Sequence, residues 1–303
     1  MIDKIDQYLT SVYIWLLIWL FGRRLPVYWG NNVWFEYKDF IFPFKEIRKR
    51  SRFWQDYSLL PNGATSYYSS EDYEHFKLRE KLQKQILDGI LDEIMAPKGR
   101  NPICIFTCGG TASGKTSAVD EMKLDGNFLR IDYDRIKKLI PEYPEMLKMK
   151  VKDAATYVQL ESIKLGGKLF KAGKRNKLDL IYEKTLDDPI RAKEDIKTLR
   201  KKKYKIVVIA THVTKDVGLL RAEKRFNETG RFVPMDVVDK IYRGVAGSLF
   251  EIRGLVDDVY LFDNNGENLE LVFKKSSTVC TVINSEAYQN YVDYHGPSFD
   301  LRL

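Results

Sequence analysis

The middle of the chain alternates short apolar runs with segments in which apolar residues recur at helical spacing. The apolar runs, which are rich in β-branched residues, are 103–108, 128–132, 178–182 and 205–210. Helical spacing is found from Ser70 to about Met95, over 152–171 and over 216–229. Uninterrupted apolar runs are typical of strands buried on both faces, and strands that alternate with helices indicate a parallel sheet. The pattern therefore predicts an α/β fold in which helices flank a parallel sheet.

The C-terminal part of the chain contains one further structural signal. Two apolar runs, 258–262 and 269–273, flank Asn264-Asn265-Gly266, which predicts a hairpin. Residues 276–303 carry no motif that indicates a structure or a function. We therefore expect the core to end in this hairpin and the remaining residues to form an extension.

The first seventy residues follow a different pattern. Residues 8–22 are the most hydrophobic part of the chain, but they are shorter than the roughly 18 to 20 apolar residues of a spanning helix, and no basic region precedes them. A buried helix, an interfacial anchor and a partner-binding helix remain open, and the short length disfavours membrane attachment. Residues 27–68 mix aromatic and basic side chains, which fill small irregular cores more often than they bind single-stranded nucleic acid.

Composition narrows the class of protein. The chain has 303 residues, of which 44% are hydrophobic, so it can bury the core of one α/β domain and still has further residues for an accessory segment. A net charge of +8 favours an acidic partner, which could be a nucleotide, a nucleic acid or a membrane surface. Three cysteines are too few for a zinc site or a disulfide framework, and two of them lie in one predicted strand. This usage predicts a reduced, cytoplasmic setting.

The most specific feature is a glycine-rich loop directly after the first predicted strand. It has the sequence Gly109-Gly110-Thr111-Ala112-Ser113-Gly114-Lys115-Thr116, and Ser117 then begins a segment that suits a helix. In such a loop the backbone N–H groups surround phosphate oxygens, the lysine reaches the β- and γ-phosphates, and the last hydroxyl binds Mg²⁺. We therefore expect residues 109–117 to bind ATP, with Lys115 and Thr116 as the ATP and Mg²⁺ residues.

Polar side chains cluster at the carboxyl ends of the predicted strands. Asp132 and Asp134 follow the second strand, Glu183 and Thr185 follow the third, and His212 follows the fourth. Because ligands of such sheets bind outside the carboxyl ends of the strands, we expect these side chains to belong to the site. Asp132 is a further candidate for a Mg²⁺ ligand beside Thr116.

Three arginines follow the fourth predicted strand. Arg221 and Arg225 lie four residues apart on one face of the predicted helix 216–229, and Arg231 comes directly after Gly230. Arginines near a phosphate loop stabilise the charge on a transferred phosphoryl group, although an isolated pair is more often a solvated basic face.

Taken in order, these motifs resemble the zeta toxin family. They are the phosphate loop, Ile131-Asp132-Tyr133-Asp134, Tyr182-Glu183-Lys184-Thr185 and Arg221-x-x-x-Arg225-Phe226-x-x-x-Gly230-Arg231-x-x-Pro234. Zeta toxins are P-loop kinases that phosphorylate the sugar of nucleotide-sugars such as UDP-N-acetylglucosamine. The resemblance implies a P-loop kinase-like domain over 71–275, an aromatic-rich accessory segment over 1–70 and an extension over 276–303.

The resemblance also implies roles for single residues. Asp134 resembles the family's catalytic base, Lys115 assists the transfer, and Arg225 with Arg231 resembles the pair of arginines that clamp the phosphates. Thr185 matches a substrate-contacting threonine.

The resemblance extends to the substrate site, where this chain departs from the family pattern. Glu183 and Arg221 are expected beside Thr185 in that site. Two departures weaken the link to UDP-N-acetylglucosamine. Lys184 replaces a glycine of the family's Glu-Gly-Thr segment, and the family's substrate-binding glutamate aligns with Gly167, so that Glu161 on the same predicted helix is the displaced candidate.

The leading hypothesis is therefore an ATP- and Mg²⁺-dependent kinase that phosphorylates a hydroxyl of a nucleotide-sugar or related nucleotide. Such an enzyme would injure its host, so we expect residues 1–70, or a separate antitoxin or chaperone chain, to cover the nucleotide site. Two other classes stay open. The net charge and the basic run 200–203 favour a polynucleotide or nucleoside kinase, although nucleic acid is the less favoured partner, and the third class is a nucleotide-binding switch without phosphotransfer.

Overall fold

The computed structural model describes residues 26–29, 32–37, 40–43, 77–148, 154–229, 233 and 235–302. They belong to two compact units. The first comprises the described residues of Met1–Asp92, Tyr133–Lys168 and Thr229–Phe232, and the second comprises those of Glu93–Asp132, Leu169–Glu228 and Val233–Leu303. The apolar stretch 8–22 and most of the expected accessory segment lie outside the described residues.

Strands and helices alternate through most of the described chain. The strands are β1 (Pro26–Trp29), β2 (Asn32–Tyr37), β3 (Phe40–Pro43), β4 (Ile103–Gly109), β5 (Phe128–Ile131), β6 (Asp179–Tyr182), β7 (Lys205–His212), β8 (Asp258–Asp263), β9 (Glu270–Ser276) and β10 (Val279–Val282). The helices are α1 (Lys77–Leu91), α2 (Lys115–Glu121), α3 (Tyr133–Leu139), α4 (Glu142–Lys148), α5 (Ala154–Tyr157), α6 (Gln159–Asn176), α7 (Pro189–Arg200), α8 (Lys215–Thr229), α9 (Met235–Ile252) and α10 (Ser285–His295). Among these helices, none combines the length and the apolar character that crossing a bilayer requires.

The first unit contains a small antiparallel sheet. Its three strands pair in the order β1-β2-β3. The same unit contains α1, α3, α4, α5 and the first part of α6.

The second unit is built on a seven-stranded sheet, which confirms the predicted α/β class. The strand order is β10-β9-β8-β7-β4-β6-β5, and the five strands from β8 to β5 are parallel. β4 lies between β6 and β7, whereas the chain that leaves β4 runs first to β5 at the edge. The phosphate loop therefore begins at a point where the chain connections diverge, which is where open α/β sheets bind ligands.

The central strands are apolar on both faces because helices cover both. One face contributes Ile105, Ile181, Val207 and Ile209, which pack with Ala118 and Val119 of α2. On the other face, Phe106, Phe170 and Tyr182 form an aromatic cluster in which the last two ring centroids are 4.6 Å apart. This two-sided burial is why the sequence of these strands reads as continuous apolar runs.

The cysteines divide into two buried thiols and one exposed thiol. Cys104 and Cys108 in β4 are fully buried, and Cys280 in β10 is exposed. Burial raises the pKa of the Cys108 thiol to about 12, so this residue beside the phosphate loop stays neutral.

The C-terminal region has more structure than its sequence pattern indicates. The predicted hairpin is confirmed as β8 and β9, which pair antiparallel with a register shift between Leu261 and Phe262. β10 adds an antiparallel edge strand to β9, and α10 follows it. The N-cap of α10 is Asn284, whose side chain accepts a hydrogen bond from the Ala287 N–H.

Two histidines, one buried and one partly buried, form a pair between the end of β7 and the end of α10. Nε2 of His295 lies 3.2 Å from Nδ1 of His212 at the end of β7, and the rings of Tyr291 and Tyr294 pack against His212. Burial lowers the pKa of His212 to about 4 and that of His295 to about 3. The pair is therefore neutral in the folded protein.

This pair predicts a loss of stability between pH 6.5 and about pH 4. A histidine of the unfolded chain takes up a proton near pH 6.5, whereas folded His212 does so only near pH 4. The unfolded state then binds more protons, so the free energy of unfolding falls as the pH falls through this window, by up to about 3 kcal/mol for one such ring. Urea titrations at pH 7.5 and about pH 5 measure the difference.

The double variant His212→Gln, His295→Gln is the matched comparison. It should be less stable at pH 7.5 but lose little further stability at about pH 5. Asp300, whose carboxyl pKa is held far below its usual range by Arg302, titrates below this window. A double variant with the pH slope of the wild type would contradict the assignment.

Candidate active site

The phosphate loop is held by the ends of three neighbouring strands. The Gly109 N–H donates to the Thr185 carbonyl after β6 (3.0 Å), and Ser113 Oγ lies 2.6 Å from Thr211 Oγ1 in β7. Asn264 after β8 donates from its side-chain amide to the Ser113 carbonyl (3.0 Å). The loop conformation is therefore fixed by tertiary contacts as well as by its own sequence.

Two glycines of the loop are required by its geometry. Gly114 has φ of 88°, in the left-handed region that favours glycine, and a Cβ there would overlap the Asn264 side chain. A Cβ on Gly109 would overlap the hydroxyl groups of Thr211 and Ser113. Both positions accept only a residue without a side chain, because the loop backbone lies directly against these neighbouring side chains.

The two residues after the last glycine have distinct environments. Lys115 Nζ lies across the loop and donates to the carbonyls of Gly109 (3.0 Å) and Gly110 (2.6 Å). Thr116 Oγ1 donates to Glu183 Oε2 (3.0 Å). Ser117, the next residue of α2, is exposed.

Glu183 is held in place by an arginine. Its second carboxylate oxygen accepts from Arg130 Nε on β5, and Arg130 Nη1 reaches Asp120 of α2 at 3.2 Å. The side chain of Glu183 is only 10% exposed. An ion pair with this orientation fixes the carboxylate beside the Thr116 hydroxyl.

A hydroxyl and a carboxylate at this separation fit a magnesium ion. Mg²⁺ prefers oxygen ligands and keeps waters and phosphate oxygens in its shell, so one or two protein ligands are enough. No cluster of three or more His, Cys, Asp or Glu side chains suited to a metal occurs among the described residues. Asp132 directly follows β5 and is partly exposed.

The residues after β6 point in alternating directions. Thr185 Oγ1 donates to Asp187 Oδ1, while its carbonyl accepts from Gly109. Lys184 extends instead to Asp195 on α7 (Nζ to Oδ2, 2.6 Å), and its ammonium lies 4.4 Å from the centre of the Tyr182 ring. The side chains of Glu183 and Lys184 thus extend to different sides of the segment that follows β6.

Helix α8 packs on the phosphate loop at Gly218. A Cβ on Gly218 would come within 3.1 Å of the Thr111 carbonyl oxygen. Arg221 and Arg225 follow at intervals of three and four residues, which places them on the same face of the helix as Gly218. Arg221 Nη2 also donates to the Gly266 carbonyl at 3.4 Å. Arg231 lies outside the described residues.

The remaining predicted site residues belong to the first unit. Asp134 lies in the first turn of α3, three residues after the end of β5, and Lys137 Nζ is 3.2 Å from its carboxylate. Glu161 is buried in α6 and accepts from Gln83 Nε2 (2.9 Å), whose Oε1 accepts from Lys168 (2.9 Å). Glu161 is thus part of a buried polar chain that links α6 to α1.

Comparison with known proteins identifies the family. A model of the family described as "Zeta toxin" matches residues 88–275, which is more than half of the chain. The chain belongs to the zeta toxin family. No curated protein matches the sequence.

Two solved structures are similar to this chain. The AvrRxo1-ORF1:AvrRxo1-ORF2 complex with sulphate ions is similar with a TM-score of 0.53 at 15% identity, over 75% of this chain and 78% of the other. The PezAT chromosomal toxin-antitoxin system of Streptococcus pneumoniae is similar with a TM-score of 0.49 at 20% identity, over 61% of this chain and 76% of the other. At these identities the first similarity supports the fold alone.

One departure from the zeta toxin pattern has a structural explanation. Lys184 stands where the family has the glycine of its Glu-Gly-Thr segment, and its side chain leaves the segment toward α7. The neighbouring Glu183 and Thr185 keep their contacts with Thr116 and with the loop backbone. Lysine is therefore accommodated without filling the side that faces the phosphate loop.

Several residues of this zeta toxin site were not predicted from the sequence. They are Arg130, Asp187, Tyr242 and Asn264. Arg130 carried a signal, because a charged residue inside a buried four-residue strand needs a partner. Asp187 and Asn264 lie in loops, and Tyr242 lies in α9. Only the strand order brings these three residues to the phosphate loop.

Replacing Lys184 with alanine should separate stability from nucleotide binding. The variant loses a partly buried ion pair with Asp195, which we expect to lower the free energy of unfolding by about 1 kcal/mol. Because the side chain points away from the loop, ATP affinity should stay within about twofold. Urea denaturation and ATP titration measure the two effects, and a loss of ATP binding at unchanged stability would contradict this orientation.

Proposed function

We propose that this zeta toxin family protein is an ATP- and Mg²⁺-dependent kinase that phosphorylates a hydroxyl of a nucleotide-sugar or related nucleotide. The observation that carries the proposal is the pairing of Thr116 with Glu183 beside the glycine-rich loop. It joins a motif that binds phosphate to an oxygen pair suited to magnesium.

ATP binding is assigned to the loop from Gly109 to Ser117. The backbone N–H groups of the loop surround the phosphates, and Lys115 exchanges its carbonyl partners for the β- and γ-phosphate oxygens. Thr116 and Glu183 would hold Mg²⁺, which would neutralise the negative charge that develops on the phosphates. Asp132 stays a second candidate for this ligand set.

The proposal gives three side chains a role in the transfer step. Asp134 accepts the proton of the acceptor hydroxyl as its oxygen bonds to the γ-phosphorus, and the bond to the β-γ bridging oxygen breaks to release ADP. Arg225 and Arg231 stabilise the equatorial oxygens of the transferred group. The shared face of Gly218 and Arg225 on α8 supports this role for Arg225.

The acceptor site is assigned to Thr185, Arg221 and Glu161, together with Glu183 if that residue is not a metal ligand. Thr185 donates its hydroxyl proton to Asp187, so its free lone pairs are suited to accept from a substrate hydroxyl or amide. Sugar hydroxyls and the amide of an N-acetyl sugar are such donors. This polarity favours a nucleotide-sugar acceptor.

Restraint of the activity is part of the proposal. A kinase that consumes essential nucleotides injures the cell that makes it, so we propose that an antitoxin or chaperone chain, or residues 1–70, covers the nucleotide site in the cytoplasm. The family's association with toxins supports this arrangement.

Incubation with γ-labelled ATP and a panel of acceptors tests the proposed function. The panel comprises nucleotide-sugars, dinucleotides, nucleosides and oligonucleotides. Label in a nucleotide-sugar or a related nucleotide is the expected result. Label in oligonucleotides would favour a polynucleotide kinase, and slow release of phosphate without a labelled acceptor would favour a nucleotide-binding switch.

Two substitutions should distinguish binding from chemistry. Lys115→Ala should weaken ATP binding and abolish transfer, because the ammonium contacts both phosphates. Asp134→Asn should keep ATP affinity while lowering transfer by about 10²- to 10⁴-fold, the contribution of a general base. Equilibrium ATP binding and single-turnover transfer measure the two properties. Full activity of Asp134→Asn would remove this residue from the mechanism.

Glu183→Gln should reveal whether this residue serves the metal or the acceptor. The amide keeps the shape of the side chain but loses its charge, so we expect the Mg²⁺ concentration for half-maximal activity to rise about tenfold or more. Magnesium titrations at saturating acceptor measure the change, with Asp132→Asn as the matched variant. An altered acceptor KM at an unchanged magnesium requirement would assign Glu183 to the acceptor instead.

A further inference from the structure

A tyrosine lies between the phosphate loop and the helix that carries the arginines. Tyr242 of α9 donates its phenol hydroxyl to the Thr111 carbonyl at 2.8 Å. A Cβ on Gly110 would overlap its ring, and a Cβ on Gly218 of α8 would overlap its hydroxyl. The ring therefore contacts the loop on one side and α8 on the other.

Gly110 and Gly218 leave the space that the Tyr242 side chain occupies. Gly218 lies in the second turn of α8, where glycine is less favourable than alanine. It is buried and approaches the Thr111 carbonyl as well as Tyr242. Gly110 likewise meets the ring carbons of Tyr242. The close approach of three segments at one point requires both residues.

The Tyr242 hydroxyl is the donor and the Thr111 carbonyl is the acceptor at every working pH. Burial raises the pKa of Tyr242 far above its usual value, despite the nearby positive charge of Arg221. The phenol therefore always donates, and the Thr111 carbonyl always accepts. This constraint acts on the backbone of the loop, so it is independent of which side chain occupies position 111.

We propose that Tyr242 is a positioning residue that ties α8 to the phosphate loop and so sets the distance between the bound phosphates and Arg221 and Arg225. The inference rests on the proposed function for the role of the arginines, but the mechanical link itself does not. Arg221 and Arg225 share the face of α8 that Gly218 presents to the loop. Movement of α8 away from the loop would carry both guanidinium groups with it.

Removal of the phenol hydroxyl should therefore affect transfer more than binding. In Tyr242→Phe the ring remains between the glycines, and the loop keeps its contacts with Thr185, Thr211 and Asn264. ATP should bind within about twofold of the wild type, because the loop backbone and Lys115 are unchanged. The transfer rate should fall about tenfold, the upper range for the loss of one hydrogen bond.

Tyr204→Phe is the matched control. Tyr204 is buried, and its hydroxyl donates to the carbonyls of Gly173 and Leu178, which precede the amino end of β6, whereas the loop follows the carboxyl end of the parallel strand β4. The same chemical change at this position should lower stability and leave the transfer rate unchanged. The comparison separates loss of a hydrogen bond in general from loss of this one.

Hydrogen–deuterium exchange provides a readout that does not depend on the kinase activity. In Tyr242→Phe, exchange should rise in residues 109–116 and in the first two turns of α8 together, and in Tyr204→Phe it should rise in neither. Wild-type exchange in both segments of Tyr242→Phe would overturn the inference. If the wild-type protein transfers no phosphate but the exchange result holds, the proposed function fails and the link stands.

A double-mutant cycle tests whether the link acts through the arginines. If Tyr242 positions Arg225, then Tyr242→Phe should slow transfer much less in the Arg225→Lys background than in the wild type. Independent, multiplying effects on the transfer rate would show that Tyr242 acts elsewhere. Gly218→Ala, which pushes a methyl group into the phenol, should give the same defect as Tyr242→Phe or a larger one.

Discussion

The close approach of backbone to backbone at the phosphate loop is the constraint on which the second unit depends. Gly109 bonds to the segment after β6, and Ser113 bonds to β7 and to the residue after β8. These partners are available because β4 lies in the centre of the parallel strands. The order of strands therefore determines the shape of a loop that the motif alone would leave flexible.

The sequence was sufficient for those parts of the fold whose signals are local. β4 to β8 consist mostly of apolar residues, and the glycine loop carries its own motif. The sequence was not sufficient for β10 and α10, because an exposed four-residue strand and a helix with aromatic residues on its buried face have no distinctive pattern. α9 was not predicted either, although its apolar residues recur at helical spacing and its Tyr242 contacts the loop.

The sequence likewise predicts some residues of the candidate site but not the contacts between them. Lys115 and Thr116 follow from the motif, but the contact of Thr116 with Glu183 requires β6 to lie directly beside β4, and chain order does not give that neighbour. Sequence position suggested a substrate role for Glu183 and a metal role for Asp132. The ion pair with Arg130 holds Glu183 beside the Thr116 hydroxyl, an arrangement that depends on three separate strands.

The distribution of thiols has a practical consequence. Cys104 and Cys108 are sealed in the central strand as neutral groups, while Cys280 is exposed on the edge strand β10. A maleimide dye should therefore attach to the native protein at one defined place, far along the sheet from the strand that leads into the loop. The unaltered polypeptide thus offers a single attachment point for fluorescence studies of nucleotide or partner association, with no need to engineer its cysteines.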